Sequence, residues 1–309
     1  MVTCRRTAVL IATYNGEAFL SQQIASLYNQ SYPMIDLWFS DDGSNDSTRK
    51  IIERTARDWR KGTVHLSDGP RRGFAENFRS LIVNPEIAAE FFAFCDQDDV
   101  WDEEKLAVAV DWLSNQPEGT PALYCSRTRI ITAEGSFLRL SPLFRKKPDF
   151  RNAIVQSIGG GNTMVMNRAA RDVMQQACAR TGFVSHDWWC YMMITGVGGR
   201  VHFSGEPKIG YRQHSENVIG ENGTWRARVQ RLRSLLEGRF ARWNDRNLVG
   251  LAACEDMLTK DAREAARLFS EARTGQLTKR ISSLVRSGVY RQKSLDQLGL
   301  YLASALNKL

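Results

Sequence analysis

Phe91-Phe92-Ala93-Phe94-Cys95 runs directly into Asp96-Gln97-Asp98-Asp99, and this stretch decides how the chain is read. A short apolar run bounded by polar residues reads as a strand buried on both faces, the kind found inside parallel sheets. Three carboxylates crowded at the mouth of such a strand repel one another unless a cation compensates them. Capping of a helix expected over 102–113 explains one of these acids but not all three. Hard oxygen donors of this type suit Mg²⁺ or Mn²⁺, which can bridge a carboxylate and a diphosphate.

Upstream, apolar runs alternate with helical patterns. Strands are expected at 8–12, 36–40, 64–66 and 91–95, and helices at 17–29, 47–59 and 74–82. That alternation implies βαβ units on a largely parallel sheet, which binds ligands beyond the carboxyl ends of its strands. Those ends read Thr13-Tyr14-Asn15, Asp41-Asp42-Gly43-Ser44 and Asp96-Gln97-Asp98-Asp99, so polar and acidic residues gather where a site belongs. Further on, strands are expected at 123–131, 163–166, 201–203 and 209–213, a grouping that commonly adds antiparallel edges to such a sheet.

Neither GxGxxG after the first strand nor GxxxxGK[ST] occurs, which disfavours dinucleotide oxidoreductases and P-loop enzymes. An aspartate in Asp41-Asp42-Gly43 can accept the imide proton of uracil or thymine, and the glycine admits close approach of the base. The same residues also serve as a plain turn that caps the next helix. The glycine loop Gly159-Gly160-Gly161-Asn162-Thr163 offers free amides to an acceptor or a diphosphate. Trp188 and Trp189 offer an apolar face for a sugar ring, or else belong to the core.

The 309 residues carry a net charge of +8, and its location is informative. Residues 1–220 hold 25 basic and 25 acidic side chains, whereas 221–309 hold 17 and 9, so the whole excess lies in the second segment. Two parts are therefore expected, 1–220 and a basic helical region 221–309. In the latter, Trp225, Val229, Leu232, Leu236, Phe240 and Trp243 recur on one helical face among seven arginines. Such a helix suits an anionic membrane surface, or else packs on the body of the protein. Six scattered cysteines form no CxxC pair, the N-terminus lacks the shape of a signal peptide, and no run approaches the roughly 18 apolar residues of a membrane span. A reduced, cytoplasmic protein fits this, with peripheral contact at the inner face of the membrane as the variant.

These motifs, in this order, resemble family 2 glycosyltransferases over about residues 8–220. The resemblance implies an α/β GT-A fold, with one Rossmann-like nucleotide-binding domain and a C-terminal helical extension. It places a nucleoside-diphosphate sugar across Thr13, Tyr14, Asn15, Asp42, Arg72, Asp96 and Gln97. Asp96 and Asp98 match the family's DxD pair, with Mg²⁺ or Mn²⁺ on Asp98, and the sequence leaves open whether Asp98 or Asp99 is the closer ligand. His214 falls where a histidine completes the metal shell or touches the diphosphate. Ser185-His186-Asp187-Trp188-Trp189 resembles the motif that ends in the general base, here Asp187, although the family more often has an acid where this chain has His186.

Gly160, Gly161, Asn162, Trp188 and Trp189 are expected to face the acceptor, a glycan or lipid-linked glycan. The implied reaction is an inverting transfer, in which Asp187 draws a proton from the acceptor hydroxyl. The motifs look most similar to rhamnosyltransferase-like bacterial members, implying dTDP-rhamnose, with UDP-sugars as the alternative donors and surface polysaccharide or lipopolysaccharide as the setting. A sugar-nucleotide nucleotidyltransferase would need a basic loop after the first strand, and Thr13-Tyr14-Asn15-Gly16-Glu17 contains no basic residue. A non-enzymatic basic module explains the charge but not the acidic strand ends. No nucleic-acid partner is expected, and the oligomeric state is not legible.

Overall fold

The computed structural model describes residues 5–214 and 239–309. The first hundred residues form β1 (Thr7–Thr13), α1 (Leu20–Tyr28), β2 (Ile35–Asp41), α2 (Thr48–Asp58), β3 (Val64–Asp68), α3 (Phe74–Val83) and β4 (Phe91–Cys95). β1 lies between β2 and β4 and runs parallel to both, and β3 extends the sheet beyond β2. The side-chain period of two sorts these strands into two cores. Val9, Ile11, Phe91 and Ala93 face one cluster with Leu20, Phe39 and Leu106. Ala8, Leu10, Phe92 and Phe94 face the other with Phe78 and Leu81. Because both faces are covered, the strands read as continuous apolar runs rather than alternating ones.

The chain continues through β5 (Val100–Trp101), α4 (Lys105–Ser114), β6 (Ala122–Ser126), β7 (Arg129–Ile131), β8 (Phe137–Leu140), α5 (Phe150–Ala153), β9 (Val165–Asn167), α6 (Arg168–Arg180), α7 (His186–Gly196), β10 (Arg200–Ser204) and β11 (Ile209–Arg212). The large sheet has the order β10-β6-β9-β4-β1-β2-β3, and a small one has β5-β11-β7-β8. The large sheet is mostly parallel, as the sequence implies. Its antiparallel member is not at an edge, however: β9 sits inside, between β4 and β6, and opposes both.

Several boundaries differ from those read in the sequence, and three of the differences have a visible cause. The strand expected over 123–131 is two strands in two sheets. β6 pairs with β10 and β7 with β11, so both chains cross between the sheets together, and the Arg127 amide donates to the Ser204 carbonyl at 3.0 Å at the crossing. The first helix begins at Leu20 rather than 17, because Asn15 takes a left-handed φ of 47° and residues 16–19 form a turn. The strand expected from 163 begins at Val165, since Gly161–Thr163 coils into one 3₁₀ turn.

Past the undescribed residues lie α8 (Arg239–Ala253), α9 (Lys260–Glu271), α10 (Leu277–Ser287) and α11 (Ser294–Ala305). The expected break near 221 and the first four residues of the Trp225–Trp243 stripe fall outside the described residues. Of that stripe, Phe240 packs against the core, and Trp243 meets Trp188 edge-on with ring centroids 6.3 Å apart. Leu251, Leu258, Phe269, Leu284 and Leu300 join the cluster that contains Phe92 and Trp189. The C-terminal helices thus pack as an outer layer against helices that already cover one face of the sheet, α7 among them.

Gly250 marks the closest approach in this packing. A Cβ there would lie 2.8 Å from the ring of Trp189, which is 1% exposed and has no room to retreat. Gly250→Ala should therefore destabilise the protein by about 1–3 kcal/mol through overpacking, although alanine is the better helix former. Thermal unfolding of the two proteins checks this, and an unchanged or higher midpoint would contradict the packing.

Candidate active site

The carboxyl ends of β1, β2 and β4 are built from loops that hold one another. Asn15 accepts from the Asn45 amide at 3.0 Å, the Asn15 amide donates to Ser44, and Gly16 donates to Thr48 at 2.7 Å. Glu17 ties its loop to the segment before α2: Glu17 N–H donates to the Asp46 carboxylate, and Ser47 N–H donates to the Glu17 carboxylate. Gln97 clamps the first loop with its amide, accepting from Tyr14 N–H and donating to Tyr14 C=O, both at 2.9 Å. A side chain on Gly16 would meet that amide at 2.5 Å. The Tyr14 ring is exposed above the clamp.

Not every residue expected to touch the nucleotide is free to do so with its side chain. Thr13 is buried, and its hydroxyl donates to Asp41 at 3.0 Å. Asp42 accepts from the amides of Arg71 and Gly73, at 2.6 and 2.8 Å, and so shapes the loop that carries exposed Arg72. Two buried residues that the sequence reading missed tie these loops together. Asp41 holds Thr13, Ser44 and Arg49, while Asn77 donates to the Ser40 carbonyl at 2.9 Å. Asp41 was visible as half of an acidic pair; Asn77, on a helix, carried no signal.

The acids beyond β4 have separate surroundings. Asp99 is fully buried and accepts from the Asn162 side chain and, at 3.2 Å, from the Arg212 amide. Burial pushes its carboxyl well up, the charges of Asp98 and Asp96 add to that, and the two donors oppose it. Asp98 points the other way, with its Oδ2 2.7 Å from His214 Nε2. Asp96 keeps some solvent-accessible surface, yet desolvation of its carboxyl is the main cause of an upward shift, to about 8, with the charges of Asp98 and Asp187 adding to it. A divalent cation bound nearby would relieve that repulsion.

Among the described residues no three His, Cys, Asp or Glu side chains gather closely enough to hold an ion alone. Asp98 with His214 is a two-donor set, which suits an ion that takes its remaining ligands from phosphate and water. Arg212, another residue missed in the sequence, braces this corner. Its guanidinium donates to the carbonyls of Asp98 and Ala133 and to Gln22, and it lies over the Phe19 ring.

Asp187 stands in the first turn of α7, where the helix dipole favours an anion. Its Oδ1 is buried without a hydrogen-bond partner among the described residues. The neighbouring His186 ring stacks on Phe78 at 3.8 Å and meets Phe94 edge-on. Neither of its nitrogens has a partner among the described residues, and burial brings it down to about 4.

The acceptor residues are partly corrected. Trp188 and Trp189 are core residues, Trp188 donating to the Ala153 carbonyl at 2.6 Å, so neither presents a face to a sugar. The stacking surface inferred from their aromatic character is used up in packing α5 and α8. Asn162 supports Asp99 from within the protein. Gly160 is exposed, and Gly161 is buried against His186.

Two predictions follow from this corner. A Cβ on Gly161 would sit 2.0 Å from His186 Nε2, in a ring pinned by phenylalanines. Gly161→Ala should cost about 1–3 kcal/mol, and adding His186→Ala should cost less than the two single changes summed, which a double-mutant cycle by thermal unfolding measures. His186 also binds its proton more weakly folded than unfolded, since burial lowers it from 6.5 to about 4. Its share of stability is full above pH 6.5 and is lost as pH falls toward 4, by at most about 1.4 kcal/mol per unit. The midpoint of His186→Gln should therefore fall less over that window than the wild type's, and parallel curves would refute the assignment.

Comparison with known proteins agrees with this architecture. Residues 8–173 match the model of Glycosyl transferase family 2. The chain is 25% identical to a dTDP-rhamnosyl transferase, RfbG, of Shigella flexneri, over 72% of this chain and 78% of that protein. It is 27% identical to the putative teichuronic acid biosynthesis glycosyltransferase TuaG of Bacillus subtilis, over 56% of this chain and 67% of that one. In fold it is similar to S. aureus TarS, solved in complex with UDP-GlcNAc, with a TM-score of 0.57 and 16% identity over 92% of this chain and 82% of that one. With its match covering more than half of the sequence and its mostly parallel sheet carrying an acidic strand end, the chain belongs to glycosyltransferase family 2 and has the GT-A fold.

Proposed function

We propose that this glycosyltransferase moves a sugar from a nucleoside-diphosphate donor to a hydroxyl of a glycan or lipid-linked glycan, with inversion at the anomeric carbon. The observation that carries this reading is the geometry beyond β4, where Asp98 Oδ2 lies 2.7 Å from His214 Nε2 and Asp187 stands in the first turn of α7, near enough for its charge to add to the upward shift of Asp96. The pair that would hold the cation of a diphosphate and the proposed base thus both act on one neighbouring carboxyl. The nucleoside lies across the Tyr14–Asn15 loop and the loop of Arg72, which Gln97 and Asp42 hold in shape. In this arrangement residues 1–220 form the catalytic unit and the C-terminal helices buttress it.

Asp187 accepts the proton of the acceptor hydroxyl as that oxygen bonds to the anomeric carbon, and the bond from carbon to the diphosphate breaks on the opposite face. One displacement inverts the centre, and no second carboxylate nucleophile is needed. Asp98 and His214 would hold Mg²⁺ or Mn²⁺, which neutralises charge developing on the leaving diphosphate. The relation to RfbG supports dTDP-rhamnose as donor, and that to TuaG supports an acceptor in surface-polysaccharide synthesis.

The test is a thermal-shift panel of dTDP, UDP, GDP and CDP with and without Mn²⁺, joined to a transfer assay. Metal-dependent stabilisation by dTDP that disappears in Asp98→Ala is expected. Asp187→Asn should keep that stabilisation and lose about 100-fold or more in transfer rate. A UDP-selective response would replace the donor, and no nucleotide response at all would overturn the reading.

A further inference from the structure

The last helix carries an apolar face that the fold leaves uncovered. On α11 and its C-cap, Leu295, Leu298, Leu302 and Leu306 are spaced by three, four and four residues and are 79%, 55%, 53% and 60% exposed. The opposite side of the helix, with Leu300, Ala303 and Ser304, is buried. Core packing therefore already has its own set of side chains, and the four leucines are additional to it. A row of large apolar residues in water at this spacing marks a contact surface.

Charge says what the contact is with. Residues 277–309 contain six lysines and arginines and one acid, Asp296, giving +5 of the protein's +8. Lys279, Arg286 and Lys293 are exposed, as are Leu277 and Val285 of the adjoining α10. Two copies of so cationic a surface repel each other, which disfavours self-association through it. An apolar stripe on a helix with lysines and arginines nearby is the pattern that lies in the interface of an anionic bilayer. No described helix is long and apolar enough to cross a membrane, so the contact would be peripheral.

We infer that α10 and α11 form a docking surface for anionic phospholipid. The leucines of α11 enter the boundary between headgroups and acyl chains, and Lys279 and Arg286 of α10, with Lys293 just before α11, pair with headgroup phosphates. The inference deepens the proposed function, since it would deliver the enzyme to a lipid-linked acceptor, but it stands on surface residues outside the cleft.

Co-sedimentation of the full chain with phosphatidylglycerol-containing vesicles, against pure phosphatidylcholine, tests it. Binding to the anionic vesicles is expected at low salt, weakening as salt is raised. Leu298→Ser with Leu302→Ser should reduce it by about tenfold or more, as should Lys279→Glu with Arg286→Glu. Both substituted proteins should keep the wild-type thermal shift with donor nucleotide, which shows that they fold. Vesicle binding without any nucleotide response would sustain this inference while the transferase reading failed. Failure of the wild type to bind, equal binding by the leucine variant, or a dimer in light scattering that the leucine substitutions dissociate would each overturn it.

Discussion

The carboxylate of Asp99 organises the catalytic side of this protein. It lies at the end of β4 with no exposure, and it takes donors from two segments far away in sequence, the Asn162 side chain and the Arg212 amide. A buried carboxyl is expensive unless its oxygens are hydrogen-bonded, so these donors are required rather than incidental. Meeting that requirement draws the glycine loop before β9 and the end of β11 against β4. Once they are there, the Arg212 side chain reaches the Asp98 carbonyl and Gln22, and His214 comes beside Asp98. Burial of one acid therefore leaves its neighbour facing the cleft.

Most of the sheet was legible because its strands are buried on both faces, and a run such as Phe91–Cys95 has no other economical explanation. The acidic strand end was legible for an electrostatic reason, since like charges so close demand compensation. What escaped was of two kinds. Bends between sheets, as at Arg127, depend on where a distant pair of strands ends, which no local pattern encodes. Side-chain roles set by tertiary partners were equally hidden: Thr13 and Asn162 look like ligand contacts in sequence, yet both spend their polar atoms on buried aspartates. The tryptophans after Asp187 illustrate the same limit, because an exposed sugar platform and a core residue are spelled alike.

His186 shows how a local departure from the family pattern is absorbed. An acid in its place would lose its charge or the protein would lose stability, since Phe78 and Phe94 leave the ring no polar neighbour. The imidazole remains neutral there and fills space against the backbone of Gly161. The loop that supplies Asn162 to Asp99 is thus fixed from both sides, by a hydrogen bond at one residue and by van der Waals contact at the residue before it. Asp187, next in the chain, inherits a rigid backbone without spending its own oxygens on it.

The C-terminal helices carry two demands that pull their composition apart. One side must be small and apolar, with glycine at 250 and alanine at 262, 265 and 303, to let α8, α9 and α11 pack closely on the body. The outer side is free of that demand, and a neutral polar surface there would suffice for solubility. Instead it carries leucines and cations together, which costs solubility and gains nothing in folding. Such a surface is what the inferred contact with anionic phospholipid would use. Since the same helices pack against Trp188 and Trp189 of α7, a contact on their outer side would hold the enzyme through the helix that carries Asp187.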